Sequence, residues 1–211
     1  MRQLFFFIAL VACLSSLACR QSLTVAKPFV LHGEEKKNSE PERLQQRTEQ
    51  KRSLKLPLKD PRIVVIKSKR LLELYSQGKI VRTYQVGLGF NPVPDKEREG
   101  DGATPEGDFY VFTKNDKSAY YLSLGVSYPN IEDATRGLRD ELISQKEHDV
   151  IVRAIHNKAA PPQHTALGGL IYIHGNGAKS DWTWGCVALE NEDIRELYDA
   201  VLVGTPVTIR P

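Results

Sequence analysis

The sequence predicts a mainly β domain, a sandwich or barrel carrying one or two helices. Three observations lead there. From Ile63 onward, short apolar runs rich in Val, Ile, Leu and Tyr recur, each bounded by Gly, Pro, Asn or Asp. Helical periodicity appears in only two windows, 131–154 and 191–203. A chain of 211 residues has room for one such domain plus appendages, and no internal repeat divides it.

The elements follow in order. Segments 62–67, 70–76 and 80–88 read as three early strands, parted by turns at 67–69 and 77–79. Segment 90–104 is a long charged loop, broken by Pro92, Pro94 and Gly100-Asp101-Gly102. Strands follow at 107–114 and 119–126, with Thr104 and Gly107 shaping the turn before the first of them. In 131–154, Ala134, Leu138, Leu142, Ile143, Val150, Ile151 and Ala154 keep helix-compatible spacing. Segment 169–175 is a buried strand, since Leu170-Ile171-Tyr172-Ile173 is continuously apolar, and 185–189 is a shorter one. The 191–203 helix has Asn191 as N-cap, Glu192 and Asp193 in its first turn, and a stripe of Ile194, Leu197, Tyr198 and Val201. Segment 205–210 is the last strand.

The start of the chain reads as an export signal over 1–18. Arg2 supplies a positive start, and the nine apolar residues 4–12 are too few to cross a bilayer. Small residues and a Cys follow twice: Cys19 after Ser16-Leu17-Ala18, and Cys13 after Leu10-Val11-Ala12. Lipidation is expected at Cys19, with Cys13 as the alternative and a plain cleavage site after Ala18 as the third possibility. An acylated Cys would anchor the protein to a membrane of the periplasm or cell envelope. Segment 19–60 is dense in Glu, Lys, Arg, Gln and Ser, has few apolar residues, and is expected to be a disordered tether. The domain then spans 61–211.

Composition excludes some functions. A formal charge of +3 with no basic motif interleaved with aromatics argues against nucleic acid as a partner. Gly87-Leu88-Gly89 lacks the third Gly and the helix of a dinucleotide site. His156 and His164 stand at no spacing that suits zinc, and the domain holds one Cys, so neither metal nor cofactor is expected.

The chemistry gathers in 171–189. His174 ends the apolar run Ile171-Tyr172-Ile173, and Cys186 follows twelve residues later inside Trp184-Gly185-Cys186-Val187. A thiol attacks as thiolate, and an adjacent imidazole supplies the base. Flanking glycines permit a tight turn and close approach of a substrate. Backbone N–H groups of Trp184, Gly185 and Cys186 are candidates for an oxyanion hole. Once the leader is removed, Cys186 has no Cys within the domain to pair with, which a catalytic role explains. Trp182 and Trp184 either pack as core or line a substrate groove, with Thr183 between them. Arg136, Arg139 and Arg195 either meet peptide carboxylates or are solvated surface charges.

His174-Gly175, the Thr183-Trp184-Gly185-Cys186 turn and the hydrophobic stretch after it resemble the L,D-transpeptidase (YkuD-type) catalytic domain. Upstream, 63–66, 71–75 with Gly78-Lys79, Val86-Gly87-Leu88-Gly89 and 103–110 resemble that family in the same order, as does 204–209 at the end. The resemblance covers about 61–211. It implies an L,D-transpeptidase-like β fold and an enzyme that crosslinks or trims bacterial peptidoglycan through a Cys thioester. It implies His174 as the base for Cys186, with the Gly175 carbonyl fixing its tautomer. The family often has His before the Gly-Cys pair, where this chain has Trp184. With 87–93, 122–130 and 180–183, this resembles a subgroup that includes an enzyme releasing a wall-attached lipoprotein. Transpeptidation is the first expectation, with peptidoglycan stem peptides as partners. Hydrolysis, with wall-attached lipoprotein as a further partner, and a non-catalytic wall-binding module are the alternatives.

Overall fold

The computed structural model describes residues 53–211, so the expected signal, both lipidation cysteines and residues 19–52 of the tether lie outside the described residues. The described chain forms eight strands: β1 (Arg62–Ile66), β2 (Leu71–Ser76), β3 (Lys79–Gln85), β4 (Gly107–Ser118), β5 (Tyr121–Val126), β6 (Tyr172–His174), β7 (Val187–Ala188) and β8 (Pro206–Arg210). Three α-helices join them: α1 (Ile131–Arg139), α2 (Gln145–His156) and α3 (Asn191–Ala200). A 3-10 turn fills Lys67–Lys69, where the sequence predicts a turn.

The strands make one curled sheet in the order β3-β2-β1-β8-β4-β5-β6-β7. Pairs β1–β8 and β6–β7 are parallel and the others antiparallel. β4 bridges the halves: Gly107 to Tyr110 pair with β8, and Val111 to Ser118 pair with β5. The two outer strands then meet. Gly87 N–H donates to Ala188 O at 2.9 Å, and Ala188 N–H returns a bond to Gly87 O at 2.8 Å. This closure satisfies edge groups that an open sheet leaves unpaired. It also brings the 183–186 turn against Leu88 and Phe90, the sequence-distant feature that builds the site.

Period-2 alternation explains the hairpins. In β2, Leu72 and Leu74 point inward, and in β3 Arg82 and Tyr84 do so. Ile63, Val65, Leu124, Ile173, Val187 and Ile209 join one continuous core with Leu197 and Ile194 of α3. A smaller cluster of Ala134, Ile143, Ile151 and Leu167 sits under α1 and α2. Arg82, buried among the apolar side chains, pairs with Glu196 of α3 at 2.9 Å, and Tyr84 Oη donates to the same carboxylate. This ties the first hairpin to the last helix.

Several boundaries differ from the sequence reading. The single window 131–154 is two helices, each opened by a capping box: Asn130 with Asp133, and Ser144 with Glu147. Between them Glu141 takes φ 57°, which no helix continues through. The C-terminal helix starts a residue earlier than expected. Glu190 occupies the N-cap position, and the Asn191 amide oxygen instead accepts the Asn176 N–H at 2.9 Å. That helix ends at Ala200, where Lys114 Nζ donates to the Tyr198 and Val201 carbonyls. The strand expected over 169–175 is confined to 172–174, because Gly168 and Leu170 both take positive φ. Residues 53–60, counted with the tether in the sequence reading, lie against the domain. Leu54 and Leu58 pack on the core, and Lys59 exchanges hydrogen bonds with Ser76.

Candidate functional site

Cys186 and His174 line one groove of about 420 Å³, together with Asn115, Lys117 and Ser118 of the β4–β5 hairpin and with Tyr120, Leu170, Tyr172, Trp182 and Trp184. The parallel β6–β7 register explains the meeting. Ile173 stands opposite Val187 and His174 opposite Ala188, so Cys186 falls in line with Tyr172 and presents to the same face as His174.

Each group is held by its own neighbours. His174 is 3% exposed, and its Nδ1 meets the Gly175 carbonyl at 2.7 Å. A carbonyl only accepts, so Nδ1 carries the proton and Nε2 keeps its lone pair toward the groove. Burial lowers the His174 pKa below 6.5, against the Gly175 bond that favours the charged ring. Cys186 Sγ receives the Tyr172 N–H at 3.4 Å and its own S–H reaches the Leu170 carbonyl at 3.5 Å. Burial pushes the thiol up to about 11, outweighing the Tyr172 N–H and the more distant Lys96 charge. The resting pair is therefore neutral thiol and neutral imidazole.

Gly175 cannot be another residue without rearrangement. A Cβ there would stand 2.5 Å from Asn191 Oδ1 and 2.9 Å from the Tyr120 carbonyl. Leu170, which offers the carbonyl beside Sγ, holds φ 54°, a left-handed conformation costing a leucine roughly 1–2 kcal/mol. Gln163 pins it, accepting the Leu170 N–H at 2.8 Å.

The turn before Cys186 is rigid. Thr183 is buried; its hydroxyl donates to Cys186 O at 2.8 Å and accepts the Gly185 N–H at 3.2 Å. Thr183 also bonds through its backbone to Leu88 and Phe90. Asp181 anchors the preceding loop: its carboxylate takes Arg70 and the Leu88 N–H. Gly185 takes φ 122°, open to glycine and strained for other residues. Among the expected oxyanion donors, Gly185 N–H is thus committed to Thr183. Trp184 N–H and Cys186 N–H have no acceptor among the described residues.

The remaining expected residues divide clearly. Trp182 and Trp184 are 37% and 70% exposed, so both line the groove and neither is core. Thr183 also lines the groove, but it is 3% exposed and its hydroxyl is in use. Arg136 does not line the groove; its guanidinium joins Asp95, Asp133 and the Lys96 carbonyl. Arg195 lies outside it too, against the Tyr121 ring and hydroxyl, and Arg139 pairs with Asp140 at the surface. The charged side chain at the groove is Lys117, which the sequence reading passed over. Tyr120 was also passed over. No group of three His, Cys, Asp or Glu residues suited to a metal occurs among the described residues, and no described helix is long and apolar enough to cross a membrane.

A curled β-barrel with a thiol and a tautomer-fixed imidazole in one groove is a scaffold for nucleophilic acyl chemistry. The chain belongs to the YkuD family, the L,D-transpeptidase catalytic domain, which it matches over residues 60–209. No curated protein matches it. Among solved structures it is similar to a point mutant of the helical cell shape determining protein Pgp2 from Campylobacter jejuni, at 23% identity and TM-score 0.50, covering 72% of this chain and 47% of that one. An L,D-transpeptidase from Mycobacterium smegmatis aligns at 13% identity and TM-score 0.43, over 72% of this chain and 59% of that one. Bd1075 of Bdellovibrio bacteriovorus aligns at 21% and 0.47, over 75% and 50%. The chain thus spans about half the length of these proteins, and the first likeness supports the fold.

Proposed function

We propose that this protein is an exported cysteine acyltransferase of bacterial peptidoglycan stem peptides. One observation carries the reading: Cys186, the free thiol of the described residues, shares a groove with His174, whose Nδ1 is tied to Gly175 O. As Sγ attacks the carbonyl of the third stem residue, a diaminopimelate, Nε2 of His174 takes the thiol proton. The resulting oxyanion meets the Trp184 and Cys186 N–H groups. His174 returns the proton to the departing amine, leaving a thioester on Cys186. A second diaminopimelate amine then displaces sulfur and forms a crosslink. Lys117 supplies a cation for a stem carboxylate.

Water as the acceptor gives the second reading, hydrolysis that trims stems or frees a wall-attached lipoprotein. Trp184, in the place where the family often has His, supports it together with segments 87–93 and 180–183, which resemble the lipoprotein-releasing subgroup. Export and lipid anchoring belong to the same proposal, on the strength of the apolar 4–12 segment and the small residues before Cys19. Cys19→Ala is then expected to release the protein from membranes; retention of Cys19→Ala with release of Cys13→Ala would move the anchor to Cys13, and retention of both would remove the anchor from the account.

Mass analysis of muropeptides after incubation with purified sacculi tests the reaction. New crosslinked dimers mean transfer, and shortened or released stems mean hydrolysis. Unchanged muropeptides alongside retained binding would overturn the enzyme in favour of a wall-binding module.

A further inference from the structure

Two rings outside the thiol–imidazole pair lie against the His174 imidazole. Tyr120, at the tip of the β4–β5 hairpin, places its ring centroid 4.6 Å from that of His174, with the planes tilted by 31°. Trp182 meets the imidazole edge-on at 5.6 Å and 70°. The two rings also touch each other at 5.9 Å. Both are partly exposed, at 45% and 37%, yet the imidazole between them is 3% exposed. They are therefore its cover.

Each ring is fixed through backbone that also holds the base. The Tyr120 carbonyl accepts the Gly175 N–H at 3.0 Å, and Gly175 O is the partner of His174 Nδ1 at 2.7 Å. Trp182 Nε1 donates to Gly177 O at 3.1 Å, and Gly177 N–H is tied to Leu189 O at 2.8 Å. Tyr120 Oη has no hydrogen-bond partner among the described residues, so Tyr120 holds the imidazole through its ring. The same two side chains separate the Cys186 groove from a second cavity of about 540 Å³. Without them the imidazole would open to that side.

We propose that Tyr120 and Trp182 are positioning residues that clamp the His174 ring so that Nε2 stays directed at the Cys186 thiol. The physical reason is rotational. The Nδ1–Gly175 bond restrains the ring at one edge, but a single hydrogen bond tolerates rocking of the plane. A near-parallel ring on one face and an edge on the other remove that freedom, at aromatic contact energies of roughly 0.5–1.5 kcal/mol each. The imidazolium formed during attack would also lie over the electron-rich Tyr120 face. This rests on the acyl-transfer reading, in which His174 moves the proton.

The test compares full-length wild type with Tyr120→Leu, Trp182→Leu and Tyr120→Phe, using a synthetic stem peptide and, separately, iodoacetamide alkylation of Cys186. Each Leu variant is expected to lose about tenfold to a hundredfold in kcat, as a misaligned base does. Both rings also line the groove, so KM can shift, but the loss should fall mainly on kcat, since the clamp acts on the base. Alkylation at neutral pH should slow in parallel. Tyr120→Phe keeps the ring and should recover turnover to within about threefold of wild type. A Phe variant as slow as the Leu variant would overturn the clamp by making the hydroxyl the acting group. So would a raised KM at unchanged kcat, which marks a substrate contact. Cys186→Ala and His174→Ala run alongside. If these stay active, the acyl-transfer reading fails; if they are dead while the Leu variants keep full kcat, only the clamp fails.

Discussion

Gly175→Ala is a one-methyl change that tests how tightly the His174 imidazole is built into the fold. The new Cβ would stand 2.5 Å from Asn191 Oδ1, 2.9 Å from the Tyr120 carbonyl and 3.3 Å from Ile194 Cγ2. To reach the 3.4 Å of ordinary contact, the Asn191 oxygen must retreat by about 0.9 Å and the Tyr120 carbonyl by about 0.5 Å. Neither can move freely. Asn191 Oδ1 holds the Asn176 N–H at 2.9 Å, and the Tyr120 carbonyl holds the Gly175 N–H at 3.0 Å. Overpacking costs roughly 1–3 kcal/mol, and weakening the two hydrogen bonds adds about 1 kcal/mol. The variant should therefore lose about 2–4 kcal/mol, which lowers Tm by roughly 5–15 °C for a domain of this size. The Gly175 carbonyl moves with its Cα, carrying Nδ1 of His174 away from its resting position. A displacement near 1 Å at a reacting group costs about a hundredfold in turnover. Thermal melting by circular dichroism reads the first effect and steady-state hydrolysis or transfer of a stem peptide reads the second. A variant that melts with wild type and keeps its kcat would refute the rigid packing on which both numbers rest.

The remaining predictions concern the frame and the proton. Lys67 is buried, with Nζ bonded to Glu106 Oε1 and Pro94 O at 2.7 Å and to Thr104 O at 3.0 Å; Lys67→Met strands these acceptors and should cost about 3 kcal/mol in urea unfolding, and a loss too small to measure would show that the 90–106 loop is held otherwise. A chain trimmed to 61–211 should be about 1–2 kcal/mol less stable than one trimmed to 53–211, because Leu54 and Leu58 pack on the core; equal melting curves would return that segment to the tether. His174 must be neutral to accept the Cys186 proton, and burial holds its pKa below 6.5. The acid limb of kcat/KM should accordingly have its midpoint below pH 6.5, whereas a midpoint above it would mean another base.

What the sequence reveals depends on how local the cause is. The His174 and Cys186 segments are short, with Gly and apolar residues whose roles are set within a few positions, so both stand out. The first two hairpins are legible for the same reason, since alternation and turn residues fix them over about ten residues. The helix pair at 131–156 carried its own signals, Asn130 with Asp133 and Ser144 with Glu147. Apolar spacing ran across both and hid the break at Glu141. Leu170 shows the opposite limit: nothing in an apolar run announces a left-handed residue, and here Gln163 imposes it from seven residues away. Barrel closure through Gly87 and Ala188 is invisible to any local pattern. Arg136 illustrates a different failure. Charge type suggested a substrate carboxylate, but its acidic partners, Asp95 and Asp133, are brought together by the fold. Tyr120 and Lys117 come to the groove on a hairpin tip whose position in space no periodicity encodes.

The account turns on Cys186 as the nucleophile, and intact-protein mass spectrometry with a synthetic stem tetrapeptide tests that directly. Attack on the third residue's carbonyl with loss of the terminal amino acid should leave a tripeptidyl adduct on wild type. Peptide mapping should place it on Cys186, hydroxylamine should remove it as a thioester, and Cys186→Ala should neither form it nor turn over. Turnover persisting in Cys186→Ala, or an adduct mapped to any other residue, would contradict the account.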